Sequence, residues 1–307
     1  MRSSVVLFRR ALPQHCDIAV TEVDAVQLPN SVNYRLSVVK LDDVVLSASS
    51  LLVSNVKARA LGYGGYGLYS TGTLTLVGGS SLYTRYCSFD KYTHMLYMHI
   101  LIASDRSVFA LLNNTMATGT SFLYQYYDFT VSNHSVMRVV GNSGSVSYGV
   151  YAYISWTVRN SSRLDWRDND VGVGAMFYYS SFGGSVNIDG SSVVTLTGCK
   201  MGSTGLSKPL LSRIDAGYGF VAGCLTVVGR VLTTAAELEL NGITNVTMVA
   251  GCGECTRDGD CFAPLTTAVI DCRCQCAAGG HGDVCVPAPV PAGPPPPPPP
   301  PAPPSPP

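Results

Sequence analysis

A short pattern recurs between residues 53 and 251: an apolar strand end, one variable residue, then Asn or Gly. It stands at Val53-Ser54-Asn55, Leu76-Val77-Gly78, Val131-Ser132-Asn133, Val158-Arg159-Asn160, Leu196-Thr197-Gly198, Val227-Val228-Gly229 and Val249-Ala250-Gly251. The offsets are 23, 55, 27, 38, 31 and 22 residues; if 55 spans two units, seven units cover the 196 residues from 53 to 249, about 28 each. Asn and Gly suit corners because they accept a left-handed backbone. Between corners the chain alternates apolar and polar residues, as in Thr73-Leu74-Thr75-Leu76, Val194-Thr195-Leu196-Thr197, Glu237-Leu238-Glu239-Leu240 and Val246-Thr247-Met248-Val249. A unit of this length cannot bury its own apolar face, whereas stacked units share one core. The pattern predicts an all-β chain: a right-handed parallel β-helix (solenoid) over residues 31–250, after a poorly defined start at 1–30. A β-sandwich is the alternative, and the strands are too many for a single sandwich of this length.

The composition then changes abruptly. Cys252, Cys255, Cys261, Cys272, Cys274, Cys276 and Cys285 crowd residues 251–286, and residues 287–307 are mostly proline. Cys274, Cys276 and Cys285 read C-x-C-x8-C with Gly279 and Gly282 inside, the closing half of an EGF-like module. Crowded bridges persist in oxidising compartments, and polyproline forms a stiff spacer of about 3.1 Å per residue. Seven cysteines leave one over from the six of such a module. The extra thiol pairs with Cys16, Cys87, Cys199 or Cys224, or stays free, and the connectivity is open. A tetrathiolate zinc site at Cys252, Cys255, Cys272 and Cys274 is the rival reading, disfavoured by the secreted character of the surrounding sequence.

Charge excludes some partners. Lys+Arg and Asp+Glu balance at 20 each, charged residues make up 13% of the chain, and mean hydropathy is +0.22. With no net charge and no basic stripe in the sequence, nucleic acid is not an expected partner. Four N-x-S/T sequons, at Asn113, Asn133, Asn160 and Asn245, are candidate N-glycan acceptors. The apolar run Val5 to Phe8 is cut by Arg9 and Arg10, too short for a signal peptide, and Met95 to Ala103 is too short for a membrane span. The expectation is therefore a piece or truncated relative of a longer protein.

The text C-G-E-C-T-R-D-G-D-C-F-A-P-L-T-T-A-V-I-D-C-R-C-Q-C from Cys252 to Cys276, the polyproline behind it and the β-repeats before it resemble the dispersed gene family protein 1 group, large surface glycoproteins of trypanosomes. The resemblance runs from roughly Leu28 onward. It implies a β-helix ectodomain, an EGF-like module and, in complete members, membrane spans near the C-terminus, so that this chain would be a C-terminal ectodomain fragment or truncated member.

Enzymatic and metal roles have weaker footing. Parallel β-helices also host pectin lyase-like enzymes, and Asp165-Trp166-Arg167-Asp168-Asn169-Asp170 offers carboxylates, an arginine and an aromatic that could hold a sugar or a cation; the alternative is a polar loop between coils. Gly280-His281-Gly282 reads as a turn, and Gly62-Tyr63-Gly64-Gly65-Tyr66-Gly67 as a loop whose tyrosines suit a surface contact. His15, His94, His99 and His134 lack evident ligand partners. Tyrosine clusters at 124–127, 148–153 and 177–179 suit either a binding face or space-filling between coils, the latter preferred. No catalytic residue, metal ligand or cofactor is assigned. The expected role is a noncatalytic cell-surface module for adhesion or display toward extracellular matrix or a host cell-surface protein or glycan. A polysaccharide-active enzyme, an antigenic coat element and a non-functional copy are the alternatives.

Overall fold

The structure, a computed structural model, describes residues 3–11, 14–27, 36–60, 65–152, 155–172, 174–179, 186–189 and 191–201, then short strand segments between 211 and 287. The chain divides into two units, Met1–Cys252 and Gly253–Pro307, each taken by itself. No helix occurs among the described residues.

The first unit is a parallel β-solenoid. Nine strands, Asp17–Thr21, Ser50–Ser54, Ser81–Arg85, Val108–Leu112, Val136–Val140, Arg163–Arg167, Val193–Thr197, Phe220–Gly223 and Thr247–Met248, stack in chain order as one parallel sheet. The paired residues Asp17, Ser50, Ser81, Val108, Val136, Arg163 and Val193 set coil lengths of 33, 31, 27, 28, 27 and 30 residues. Other strands join a 16-stranded sheet that forms the remaining walls. One coil shows the plan: Ser81–Arg85, a corner at Tyr86, Ser88–Asp90, His94–Met98, Ile100–Ala103, then a corner at Asp105 and Arg106. Pairing includes Ser3–Ala11 against Leu36–Ser47, and Asp24–Gln27 against Lys57–Ala60, so stacked strands occur within residues 1–30 as well.

Alternation explains which side faces inward. In the nine-stranded sheet, Leu51, Leu82, Phe109, Met137, Leu164 and Val194 form one buried column, and Val53, Leu111, Val139, Trp166 and Leu196 another. Each such side chain contributes roughly 1.5–3 kcal/mol on burial. Two columns of left-handed corners bound this sheet. The exit column is Glu22, Asn55, Tyr86, Asn113, Gly141, Asp168 and Gly198; the entry column is His15, Ala48, Gly78-Gly79, Asp105-Arg106, Asn133-His134 and Asn160-Ser161. The repeat seen in the sequence mixes them. Asn55 and Gly198 belong to the exit column and Gly78, Asn133 and Asn160 to the entry column, so the offsets 23 and 38 cross between columns while 55 spans two coils.

The residue after each corner points inward and ties coils together. After the exit corner, the backbone N–H groups of Cys87, Asn114 and Asn142 donate to the side-chain oxygens of Asn114, Asn142 and Asn169, each at 3.0 Å. The same asparagines donate back to Thr84, Leu111 and Val139 carbonyls of the preceding coil. After the entry corner, a serine ladder does the corresponding work: Cys16 N–H donates to Ser49 Oγ, Ser49 N–H to Ser80 Oγ, Ser107 N–H to Ser135 Oγ, Ser135 N–H to Ser162 Oγ and Ser162 N–H to Ser192 Oγ, all at 3.1–3.2 Å. These buried corner amides thereby find partners in the neighbouring coil, except that Ser80 N–H donates within its own turn to Val77 O at 3.3 Å.

In the second unit, Thr266–Ile270 pairs antiparallel with Arg273–Cys276, which carries Cys274 and Cys276 on one strand of a hairpin. Gly280–His281, expected as a turn, is instead a short strand paired with Val286–Pro287. Cys252, Cys255, Cys261, Cys272, Cys285, Asn245, the Glu237 to Leu240 run and the proline segment beyond 287 lie outside the described residues.

Candidate interaction faces of the solenoid

The hexapeptide Asp165 to Asp170 is dispersed by the fold. Trp166 is fully buried in the core, so it offers no ring face to a sugar. Asp168 is an exit corner at φ 52°, and Asn169 is a rung of the internal asparagine ladder. Asp170 bridges to Ser143 and Lys200 in the next wall. The six residues do not converge on one face.

Asp165 alone points to the outer side of the nine-stranded sheet, where it meets three arginines. Arg163 Nε donates to Asp165 Oδ1, and Arg138 Nε and Arg167 Nη2 each stand 3.7 Å from Oδ2. Asp165 is fully buried beneath them, while the Arg138, Arg163 and Arg167 side chains are 13%, 16% and 22% exposed. Burial lowers the Arg138 pKa and Asp165 pulls it back up, which leaves a guanidinium cationic at neutral pH. The cluster sets three guanidinium groups around one carboxylate. In register with it stand Tyr83 and Ala110, and Arg85 ends the Tyr83 strand. Half-buried Val108, Leu112, Val136 and Val140 occupy the flanking outer positions, with Val193 37% exposed. Sequence reasoning missed this face. The arginines are 25 or more residues apart except for Arg163 and Arg167, and only the coil length brings Arg138 beside Asp165.

A second face carries aromatic rings. Tyr69, Tyr97, Tyr124 and Tyr151 occupy one register position in successive coils. Tyr97 and Tyr124 stack at 4.9 Å and 5°, Tyr124 and Tyr151 at 4.8 Å and 9°. This spacing is the strand separation of the sheet. The ring faces are turned toward one another, which favours the space-filling reading of these tyrosines. Tyr66, expected at the surface, is 1% exposed and stacks on Tyr69 and on His94. His94 is itself buried, with Nδ1 2.8 Å from Ser121 Oγ. His99 lies against Tyr126 and Tyr127, and His15 and His134 are exposed corner residues. Among the described residues no group of three His, Cys, Asp or Glu side chains is placed to hold a metal.

The sequons fall on the corners. Asn113 sits in the exit column, and Asn133 and Asn160 sit one above the other in the entry column; all three are exposed. Asn160 Nδ2 donates to Asn133 Oδ1 at 2.8 Å, and Asn133 Nδ2 to Asp105 Oδ1 at 3.0 Å. Asp189 closes this external ladder by accepting from Asn160 N–H at 2.6 Å. That bond, with others from Ser191 and Ser192, holds the Asp189 carboxyl down at about 2. Cys16, Cys87 and Cys199 are free thiols. Cys87 and Cys199 cap the two ends of the asparagine ladder, and burial pushes their pKa up to about 11 and about 12. Pairing either with a cysteine of the second unit would require pulling it out of the core.

Residues 186–286 match the family model described as DGF-1 N-terminal domain, which supports membership in that family. The match covers about a third of the chain, from the solenoid through the cysteine cluster. Its description is of an N-terminal domain, whereas the resemblance places this segment on the C-terminal side of an ectodomain. No curated protein and no solved structure matches the chain.

Proposed function

We propose that the chain is a noncatalytic cell-surface glycoprotein module of the DGF-1 family, acting in adhesion or display toward extracellular matrix or a host cell-surface protein or glycan. The observation that carries the reading is the match over residues 186–286, which joins solenoid coils and cysteine cluster in one segment of a family read above as surface glycoproteins. The solenoid is taken as right-handed, the hand that parallel crossovers overwhelmingly adopt. The cysteine segment is taken as a disulfide-bonded EGF-like module and the proline segment as a spacer.

The outer face of the nine-stranded sheet supports contact rather than turnover. Tyrosine and arginine, residue types enriched among interface hot spots, lie with aliphatic side chains on a regular wall. The carboxylates of the Asp165 to Asp170 segment lie on separate faces, and Asp165 is neutralised by arginine. Affinity then comes from many copies presented together. The test compares monomeric and streptavidin-tetramerised chain on matrix-coated and cell-coated surfaces, with and without chelator. Retention of the tetramer, indifferent to chelator and weakened by Arg85→Ser, is the expected result. A tetramer that washes off as fast as the monomer on every surface would remove the adhesion reading.

A further inference from the structure

Tyr86 is the most exposed large apolar side chain of the described residues, at 55%, and it sits at φ 54° in a corner position that bulky residues avoid. Nothing in the core requires a tyrosine there, since its column accepts Asn, Asp and Gly in other coils. The next residue of that column is Asn113. Tyr86 N–H donates to Leu112 O at 3.1 Å, so the two corners are adjacent, about 4.8 Å apart along the solenoid. One coil further the column holds Gly141, and the Asn113 carboxamide oxygen lies over it: a Cβ on Gly141 would stand 2.2 Å from Asn113 Oδ1.

We propose that Asn113 is an N-glycan acceptor of the solenoid and that the first sugar of its glycan packs on the Tyr86 ring. The inference rests on the surface-glycoprotein reading above. In Asn113-Asn114-Thr115 the acceptor and Thr115 are both exposed, while Asn114 anchors the corner from inside. The other two described sequons are built differently. Their hydroxyl residues, Ser135 and Ser162, are buried rungs of the internal serine ladder. Their asparagines hold each other, and two glycans on them would start one coil apart with no glycine gap between. Only one of that pair can be occupied in a folded molecule. Attachment at Asn113 forms a bond from Nδ2 to the anomeric carbon of a lipid-pyrophosphate-linked oligosaccharide. The bond from that carbon to pyrophosphate oxygen breaks, the lipid pyrophosphate departs as an anion, and one Nδ2 proton passes to a base of the transferring enzyme. The apolar face of the sugar then lies on Tyr86, which satisfies an exposed ring that the protein itself leaves uncovered.

The experiment secretes the full chain from a eukaryotic host behind a supplied export signal. Folded monomer is treated with an amidase that converts each glycan-bearing Asn to Asp in heavy-oxygen water, and the peptides are mapped. The expected result is a mark at Asn113, lost in Thr115→Ala, and no molecule marked at both Asn133 and Asn160. Removal of the glycan should lower Tm by about 2 °C in the natural sequence, and this shift should vanish in Tyr86→Gly, which removes the ring, suits the left-handed corner and creates no new sequon. Bare Asn113 in folded secreted protein, double occupancy of Asn133 and Asn160, or a shift unchanged by Tyr86→Gly would overturn the proposal. Because export is supplied, a native chain found inside its cell would count against the surface reading and leave this result standing.

Discussion

Asn142 shows how much a single side chain does in this fold. Its Nδ2 donates to Leu111 O and Asn169 Oδ1, both at 3.0 Å, and its Oδ1 accepts from Asn114 N–H at 3.0 Å and Asn114 Nδ2 at 2.9 Å. Asn142→Ala strands at least one donor and one acceptor in the core, for about 2–5 kcal/mol. Urea unfolding should show the midpoint falling with little change in slope. Asp189 gives a pH prediction. Its folded pKa is lowered from 3.8 to about 2, so its contribution is complete above about 4 and is lost as pH falls through about 2. Carboxyl NMR should follow it titrating near 2, and a midpoint near 4 would mean the Asn160 and Ser191 bonds are absent. Corner residues such as Asn133 and Asn160 were legible in the sequence because few residue types accept left-handed backbone. The serine ladder was not. Ser107 or Ser135 reads locally as loop chemistry, and only stacking reveals it as an internal rung.

At the scale of strands and corners, the alternation at Thr73–Val77 and Val193–Thr197 announced strands with one apolar face, and both are present. What the sequence hid was register. Coils of 27 to 33 residues mean that neighbours in space are set by loop length, which local periodicity does not encode. Hence two corner columns read as one irregular repeat, and Arg138 reads as unrelated to Asp165 and Arg167. Their association is testable: Asp165→Asn leaves three guanidinium groups crowded on one wall with no carboxylate between them. It should destabilise the solenoid by about 3 kcal/mol, relieved by raising salt, since breaking a buried pair leaves uncompensated charge. A variant as stable as the natural sequence would show that the arginines do not depend on it. Gly144 marks the opposite constraint, for a Cβ there would lie 2.1 Å from the Met116 carbonyl and force the coils apart.

For the whole molecule, an all-β stack was legible because each unit carries an apolar face it cannot bury alone. The composition changes near residue 251, and the two compact units are Met1–Cys252 and Gly253–Pro307. Function was less legible, because a solenoid wall distributes its chemistry over coils that are distant in sequence. Asp165 to Asp170 looked like a site when read along the chain and is four different structural roles when read across it. Residues a single coil apart are paired neighbours on a continuous parallel wall. Cysteines introduced at Ser81 and Val108, which are register partners at about 4.8 Å, should form a disulfide readily under mild oxidation. Cysteines at Ser81 and Val136, two coils apart, should not. Peptide mapping that finds the first bridge and not the second supports the stacked solenoid, while the second bridge without the first would contradict it.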